Sequence, residues 1–368
     1  MQFLQANARR LVIKIGTNSL AHEDGSLQQE RINELCRQIA ALRQLGFQCS
    51  LVSSGAVGLG MGTLGLKERP ENLACLQACA ALGQPSLIRA WQTALQAEGI
   101  PAAQVLLTRE DVRGRGRHLA VRDTLNQLLE LDVVPIINEN DTVSADEIKF
   151  GDNDVLSALV SSLLKADLLI ILSTIPGLLT EKGKGHLIPL VESIDAEVEA
   201  MAGTALNSRS TGGMLTKLEA ARIATRSGCG MFIGAAAQKD ILLRIATGDA
   251  EGTFFVAQKL SLAARKRWIA WFAAPGGSLT LDQGAVQAVT EKKASLLAKG
   301  VTACEGEFPA GSVVTLVDPQ ARAIARGVSA FSSSDLRPLL GFSSEEIQRH
   351  FPERRRLELV HRDTLVLY

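Results

Sequence analysis

The stretch from Leu131 to Leu172 constrains the fold most tightly, because apolar runs that must be buried enclose a long polar segment there. LDVVPII (131–137) has the brevity and β-branched content of a buried strand. VLSALVSSLLKADLLIIL (155–172) reads as an apolar helix followed by another strand. The segment between them, NENDTVSADEIKFGDND (138–154), is then a loop at a strand's carboxyl end, the edge at which open α/β sheets bind ligands. It holds two clusters, Asn138-Glu139-Asn140-Asp141 and Asp152-Asn153-Asp154. Short amides and carboxylates of this kind can grip an ammonium or carboxylate substrate, or arrange cations around phosphate. The second cluster also has the composition of ordinary helix N-caps.

Elsewhere the chain alternates strands with helices. LVIKIG (11–16) predicts a strand with Leu11, Ile13 and Ile15 on one face and Val12 and Lys14 on the other. A lysine near the end of such a strand is either solvated at an edge or serves a ligand, and Gly16-Thr17-Asn18-Ser19 at the exit suits phosphate oxygens. Ile32, Leu35, Ile39 and Leu42 mark an amphipathic helix ending at Gly46. FQCSLV (47–52) is the next strand, and SSGA (53–56) follows it, placing Ser54 and the amides around Gly55 where an anion could meet them. Gly60-Met-Gly62-Thr-Leu-Gly65 matches the GxGxxG dinucleotide fingerprint, but it follows the second strand at a distance and Pro85-Ser86 stand where a ribose-binding acid belongs. A small-residue helix packed tightly on the sheet accounts for these glycines instead. Residues 72–98 read as helical with an interruption near Gly83-Gln84-Pro85, 102–108 as a strand and 118–131 as a helix. Arg109, Arg113, Arg115, Arg117 and Arg122 make the intervening segment basic, by default a solvated face.

Beyond the central loop, DLLIILST (167–174) is a buried strand leading to Ser173-Thr174, and EKGKG (181–185) marks an exposed hairpin. A helix is expected to start just after Thr211-Gly212-Gly213, with Met214, Leu218, Ala221 and Thr225 on one face, and to stop at Gly228. Its unpaired first amides favour phosphate. Lys217 in the first turn opposes the helix dipole, which asks for a functional reason.

Lys+Arg 39 balances Asp+Glu 39, so the whole chain does not advertise nucleic acid, and residues 261–368, with 14 basic against 11 acidic side chains, have only a mild basic tilt. The six cysteines form no CxxC pair, which suggests reduced core residues rather than disulfides or a metal site. MQFLQANARR lacks the apolar run of a signal peptide and no uncharged stretch reaches a membrane-spanning length, so a cytoplasmic location is expected.

VIKIGTNSL, the SSGA turn, INEND (137–141) with GDND (151–154), and STGGMLTK (210–217) together resemble the glutamate 5-kinases, a branch of the amino acid kinase family, over most of residues 10–258. GSLTLDQGAVQAV (277–289), LLAKGVTACEGEFPAGSVVTLVD (296–318) and ARGVSAFSSSDL (325–336) are similar to the PUA domain that many of them append. The resemblance implies a three-layer α/β/α sandwich over residues 1–258, a linker over 259–276, and a small β-rich PUA-like module and tail over 277–368. It implies transfer of a phosphoryl group from ATP, with Mg²⁺, to the γ-carboxylate of L-glutamate, the first step of proline synthesis. Lys14 and Lys217 would flank the moving phosphoryl group, with Asp154 orienting them. Ser54, Asp141 and Asn153 would bind glutamate, while Lys14, Gly16, Gly55, Ser173, Thr174, Thr211, Gly212, Gly213, Met214 and Lys217 would face the nucleotide. No dedicated metal site is expected, because Mg²⁺ would be held mostly by phosphates and water. Proline as feedback inhibitor, partnership with glutamate-5-semialdehyde dehydrogenase and a homo-oligomeric state follow from the resemblance alone. PUA-like domains are associated with RNA, although the mild charge tilt argues against strong backbone binding. Two departures fall on the nucleotide side: Ser173-Thr174 where the family has Thr-Asp, with Leu179-Thr180-Glu181-Lys182 in place of Asp-Pro, and Ala236 in place of a glycine. The competing expectations are a related kinase with a different carboxylate acceptor, and a non-catalytic RNA-binding relative.

Overall fold

The computed structural model describes residues 8–20, 22, 26–113, 115–143, 153–181, 183–202, 213–258, 266, 269, 273–353 and 357–368. They form two compact units, one from residues 1–112 and 116–261, the other mostly from 262–368.

In the larger unit β1 (Arg10–Ile15) lies at the centre of an eight-stranded sheet. The order is β3 (Ala102–Leu107), β4 (Val134–Glu139), β2 (Gln48–Ser53), β1, β5 (Leu168–Ser173), β9 (Gly230–Ala235), β10 (Thr253–Phe255) and β8 (Leu190–Val191). The first six strands are parallel, and β10 runs antiparallel to β9. Strands of this kind are covered on both faces, and β1 is buried from Leu11 to Ile15, apolar there except for Lys14. Leu11, Ile13 and Ile15 share one core with Ile32, Leu35 and Ile39 of α1 (Gln29–Gln44), Trp91 of α3 (Leu73–Ala97) and Ile241 of α9 (Ile241–Thr247). On the opposite face Lys14 meets α6 (Asn153–Leu164), which packs on α8 (Met214–Arg226). This is the expected α/β/α sandwich. The remaining helices are α2 (Ala56–Thr63), α4 (Arg109–Arg113), α5 (Arg115–Glu130) and α7 (Ala196–Ala202). The EKGKG turn is the hairpin of β6 (Leu179–Glu181) and β7 (Lys184–Leu187).

Two local readings of the sequence change. Residues 73–97 form one continuous helix through Pro85 rather than an interrupted one. Proline leaves the carbonyl of Ala81 without its helical donor, but Ala81, Leu82, Pro85 and Ser86 are exposed, so water can serve it. Asn138 and Glu139 belong to β4 and are buried, so the polar loop starts two residues later than its composition suggested.

Of the GxGxxG glycines, Gly60 lies where one helix crosses another, and so does Gly83 on the facing helix. A Cβ on Gly60 would lie 1.8 Å from the carbonyl oxygen of Cys79, and one on Gly83 would lie 1.9 Å from that of Ala56. Backbone therefore touches backbone where α2 crosses α3. Gly60→Ala should force the helices apart and destabilise the protein by about 3 kcal/mol; an unchanged denaturant midpoint would contradict so close a crossing.

In the smaller unit β12 (Val301–Glu305), β11 (Gly277–Leu281), β13 (Val313–Val317), β14 (Ala323–Ser329) and β15 (Val360–Leu367) form a five-stranded sheet in that order. Leu279, Leu281, Val314, Leu316, Phe331 and Leu359 fill its core. Ile269 and Ala273 are buried with Val313 and Val366. No helix among the described residues is long and apolar enough to cross a membrane, and all six cysteines are free.

Candidate active site

Because β1, β2, β4, β5 and β9 are parallel, their carboxyl ends share one edge of the sheet. Gly16, Ser54, Asn140, Thr174 and Ala236 are the first residues beyond those ends. The chain order reverses beside β1, with β2 on one side and β5 on the other, which is where such sheets open a ligand crevice.

At the centre of that edge stands Asp154, with no exposed surface, in the first turn of α6. Its Oδ1 is 2.6 Å from Lys14 Nζ and its Oδ2 is 3.0 Å from Lys217 Nζ. Thr216 Oγ1 also donates to Oδ2, over 3.1 Å. The lysines are 6% and 3% exposed, so neither is the solvated surface residue that its position allowed. Burial alone would raise the Asp154 carboxyl, but the charges of Lys14 and Lys217 and their hydrogen bonds more than offset it and hold it below the ordinary range. Burial lowers the Lys217 ammonium, Asp154 pulls it back and Lys14 lowers it further, leaving it below the usual lysine value. Two ammonium groups on one carboxylate leave a net positive centre in a site of low dielectric, which is a receptor for an anion.

A polar pocket adjoins this centre. Asn153, next to Asp154 and 8% exposed, donates from Nδ2 to Ser54 Oγ over 2.9 Å and to Asn138 Oδ1 over 3.1 Å. Its Oδ1 is buried and has no hydrogen-bond donor among the described residues. Asn138 Nδ2 donates to Gln84 Oε1 at 2.8 Å. Behind Ser54, Trp91 Nε1 donates to Ser53 Oγ at 2.9 Å and anchors the end of β2 on α3.

The turns around the centre are set by backbone. Gly55 has φ +123°, a conformation that L side chains rarely adopt, and is the N-cap of α2. Gly16 is the first residue beyond β1. Its amide donates to the Leu172 carbonyl, and its missing side chain leaves room beside Lys14 Nζ, 3.7 Å from where a Cβ would be. Ala236 is buried and donates its amide to the Ser173 carbonyl. Gly213 is the N-cap of α8 and carries no side-chain cap, so the helix start is open at Met214. Asp141 lies in the turn that leaves β4, half-buried. Thr174 is exposed and Ser173 half-buried at the end of β5. Thr211, Gly212 and Asp152 lie outside the described residues, as do the side chains of Arg109, Arg113 and Arg115. Arg117 and Arg122 pair with Asp111 and Asp123. Among the described residues no three His, Cys, Asp or Glu side chains converge on a metal-sized point.

Sequence reasoning assigned no role to Gln84 or Thr216. Thr216 is legible as Lys217's neighbour, but nothing along the chain links Gln84 to Asn138 near the end of β4.

A parallel sheet carrying a buried cationic centre beside a polar pocket defines a phosphotransferase of the sandwich type. A profile of the amino acid kinase family matches residues 9–235, and one of the PUA domain matches 277–351. The chain belongs to the amino acid kinase family. It is 42% identical over 371 residues, all of both chains, to a protein named Glutamate 5-kinase from Nitrosospira multiformis. It is 43% identical over 362 residues, 97% of each chain, to one of that name from Thermoanaerobacter sp. (strain X514). Identity to the Glutamate 5-kinase of Syntrophotalea carbinolica is 43% over 368 residues, 99% of this chain and 98% of that one. In fold it resembles the carbamate kinase from Giardia lamblia bound to AMP-PNP, with a TM-score of 0.50 at 16% identity over 69% of this chain and 100% of that one.

Proposed function

We propose that this chain transfers the γ-phosphoryl group of ATP to the γ-carboxylate of L-glutamate, giving L-glutamyl 5-phosphate and ADP, the first step of proline biosynthesis. The observation that carries this reading is the Lys14–Asp154–Lys217 centre beside the Asn153–Ser54 pocket. A glutamate carboxylate oxygen forms a bond to the γ-phosphorus while the bridging oxygen leaves with its electron pair on ADP. The nucleophile is already ionised, so no general base is required. This suits a site in which both oxygens of Asp154 are held by ammonium groups. Rate then comes from positioning and from cations around the moving group. Lys14 and Lys217 supply the cations, and Asp154 positions both. Ser54, Asp141 and Asn153 hold glutamate, the buried Oδ1 of Asn153 accepting from its ammonium group. Gly16, Gly55, Ser173, Thr174, Thr211, Gly212, Gly213 and Met214 line the nucleotide side. Mg²⁺, arriving with the nucleotide, would supply further charge neutralisation beside Lys14 and Lys217.

The division into a catalytic domain over 1–258, a linker over 259–276 and a PUA-like module over 277–368 belongs to the same reading, with Ile269 and Ala273 anchoring the linker to the module. Proline is a feedback inhibitor in this reading. The acyl phosphate is short-lived, which calls for a reductase of the glutamate-5-semialdehyde dehydrogenase class to consume it.

Purified protein with MgATP, L-glutamate and hydroxylamine should yield γ-glutamyl hydroxamate, in an amount that falls on adding proline. Aspartate and N-acetylglutamate serve as parallel acceptors. A stronger signal with either would replace the assigned substrate, and no signal with any would remove the kinase reading.

A further inference from the structure

The amide of Asn153 has a polarity that the fold fixes from a distance. The Glu139 backbone N–H can only donate, and it donates to a side-chain atom of Asn138 over 2.9 Å, so that atom is Oδ1. The other end of Asn138 is then the NH₂ group, which requires an acceptor and finds Gln84 Oε1 at 2.8 Å. The group of Asn153 facing Asn138 Oδ1 at 3.1 Å must in turn be its NH₂. Asn153 Oδ1 is left buried without a donor among the described residues, an acceptor suited to a cationic or N–H group of a ligand.

Gln84 itself is well located. It follows Gly83, whose backbone lies against the Ala56 carbonyl in the first turn of α2, two residues after Ser54. The close crossing of α2 on α3 thus holds Gln84 in register with the turn that carries Ser54.

We infer that Gln84 is a positioning residue: together with the Glu139 N–H it holds Asn138, and through it the amide of Asn153, with Asn153 Oδ1 left as the acceptor, and so favours substrates that bear an ammonium group. This rests on the assignment of glutamate to the Asn153–Ser54 pocket. Without the Gln84 acceptor, the Asn138 NH₂ group loses its partner and the Glu139 N–H alone holds Asn138 Oδ1 toward Asn153, which loosens the polarity that an ammonium needs.

The test compares Gln84→Met and Gln84→Glu in the full chain, with L-glutamate and with glutarate, which is the same chain without the ammonium group. Methionine has a similar length and suits a helix, so folding should be retained. In Gln84→Met, kcat/KM for glutamate should fall about 30-fold, through KM, while that for glutarate changes by less than about threefold and KM for ATP is unaffected. Gln84→Glu retains an acceptor for Asn138 and should recover most of the selectivity. A parallel loss for both acceptors would make Gln84 merely structural and overturn the inference, as would unchanged selectivity in Gln84→Met. Wild-type protein that makes no glutamate-dependent product would instead remove the pocket assignment, and the inference with it.

Discussion

Replacing Lys217 by methionine is expected to lower kcat by about 10³-fold or more while the fold stands. The ammonium at this position is buried, and its site has little water to substitute for it, so its contribution to a transition state carrying phosphoryl charge is not diluted by solvent. Methionine fills similar volume. Asp154 keeps Lys14 at 2.6 Å and Thr216 at 3.1 Å, so no buried charge is orphaned. The melting temperature should accordingly stay at or above that of the wild type, since one desolvated ammonium is gone. The wild-type rate should also fall at alkaline pH, as Lys217 loses its proton below the ordinary lysine value of 10.5. Turnover within tenfold of wild type in Lys217→Met would remove this lysine from the chemistry.

Asp154→Asn should do what Lys217→Met does not, and damage folding as well as turnover. It leaves two buried ammonium groups facing each other without their counter-ion. Breaking a buried ion pair from one side costs about 3–5 kcal/mol. Because the folded carboxyl is held below its ordinary value of 3.8, its stabilising contribution is complete above that pH and disappears as the pH falls through the lower folded value. The stability gap between wild type and Asp154→Asn should therefore be level near neutrality and narrow below pH 3.8. Denaturant unfolding at several pH values measures it, and a gap that widened on acidification would contradict the ion-pair account. The two substitutions together separate charge delivered to the reaction from charge needed to hold the centre.

Much of this was legible along the chain because burial and periodicity are local signals. The alternation of β1 put Lys14 on the face opposite Leu11 and Ile13, and the structure adds what that face meets, Asp154 on α6. Lys217 was marked by its conflict with the helix dipole, and the resolution of that conflict is a carboxylate 63 positions away in sequence. The polar loop was recognised by composition, but composition did not tell that Asn138 and Glu139 are strand residues, because a buried polar side chain with partners looks like a loop residue until the partners are known. Pro85 misled in the same way: a helix break is its usual local effect, and tertiary packing of α3 overrides it. Gln84 was beyond reach, because its meaning comes from a helix crossing that brings residues 84 and 138 together.

Asn153 and Asp154 are consecutive residues on a helix in which all twelve positions are buried. The acceptor side and the phosphoryl side of the site are therefore indexed to each other by a single peptide link, about 3.8 Å between Cα atoms, and not by the meeting of two separate parts. Misplacement of reacting groups by about 1 Å can cost 100-fold in rate, so this shared mount makes alignment insensitive to how the flanking segments breathe. Admission of substrates and release of products must then be accomplished by elements outside α6. Sequence drift in those elements can retune affinity and gating while the line of attack stays as it is.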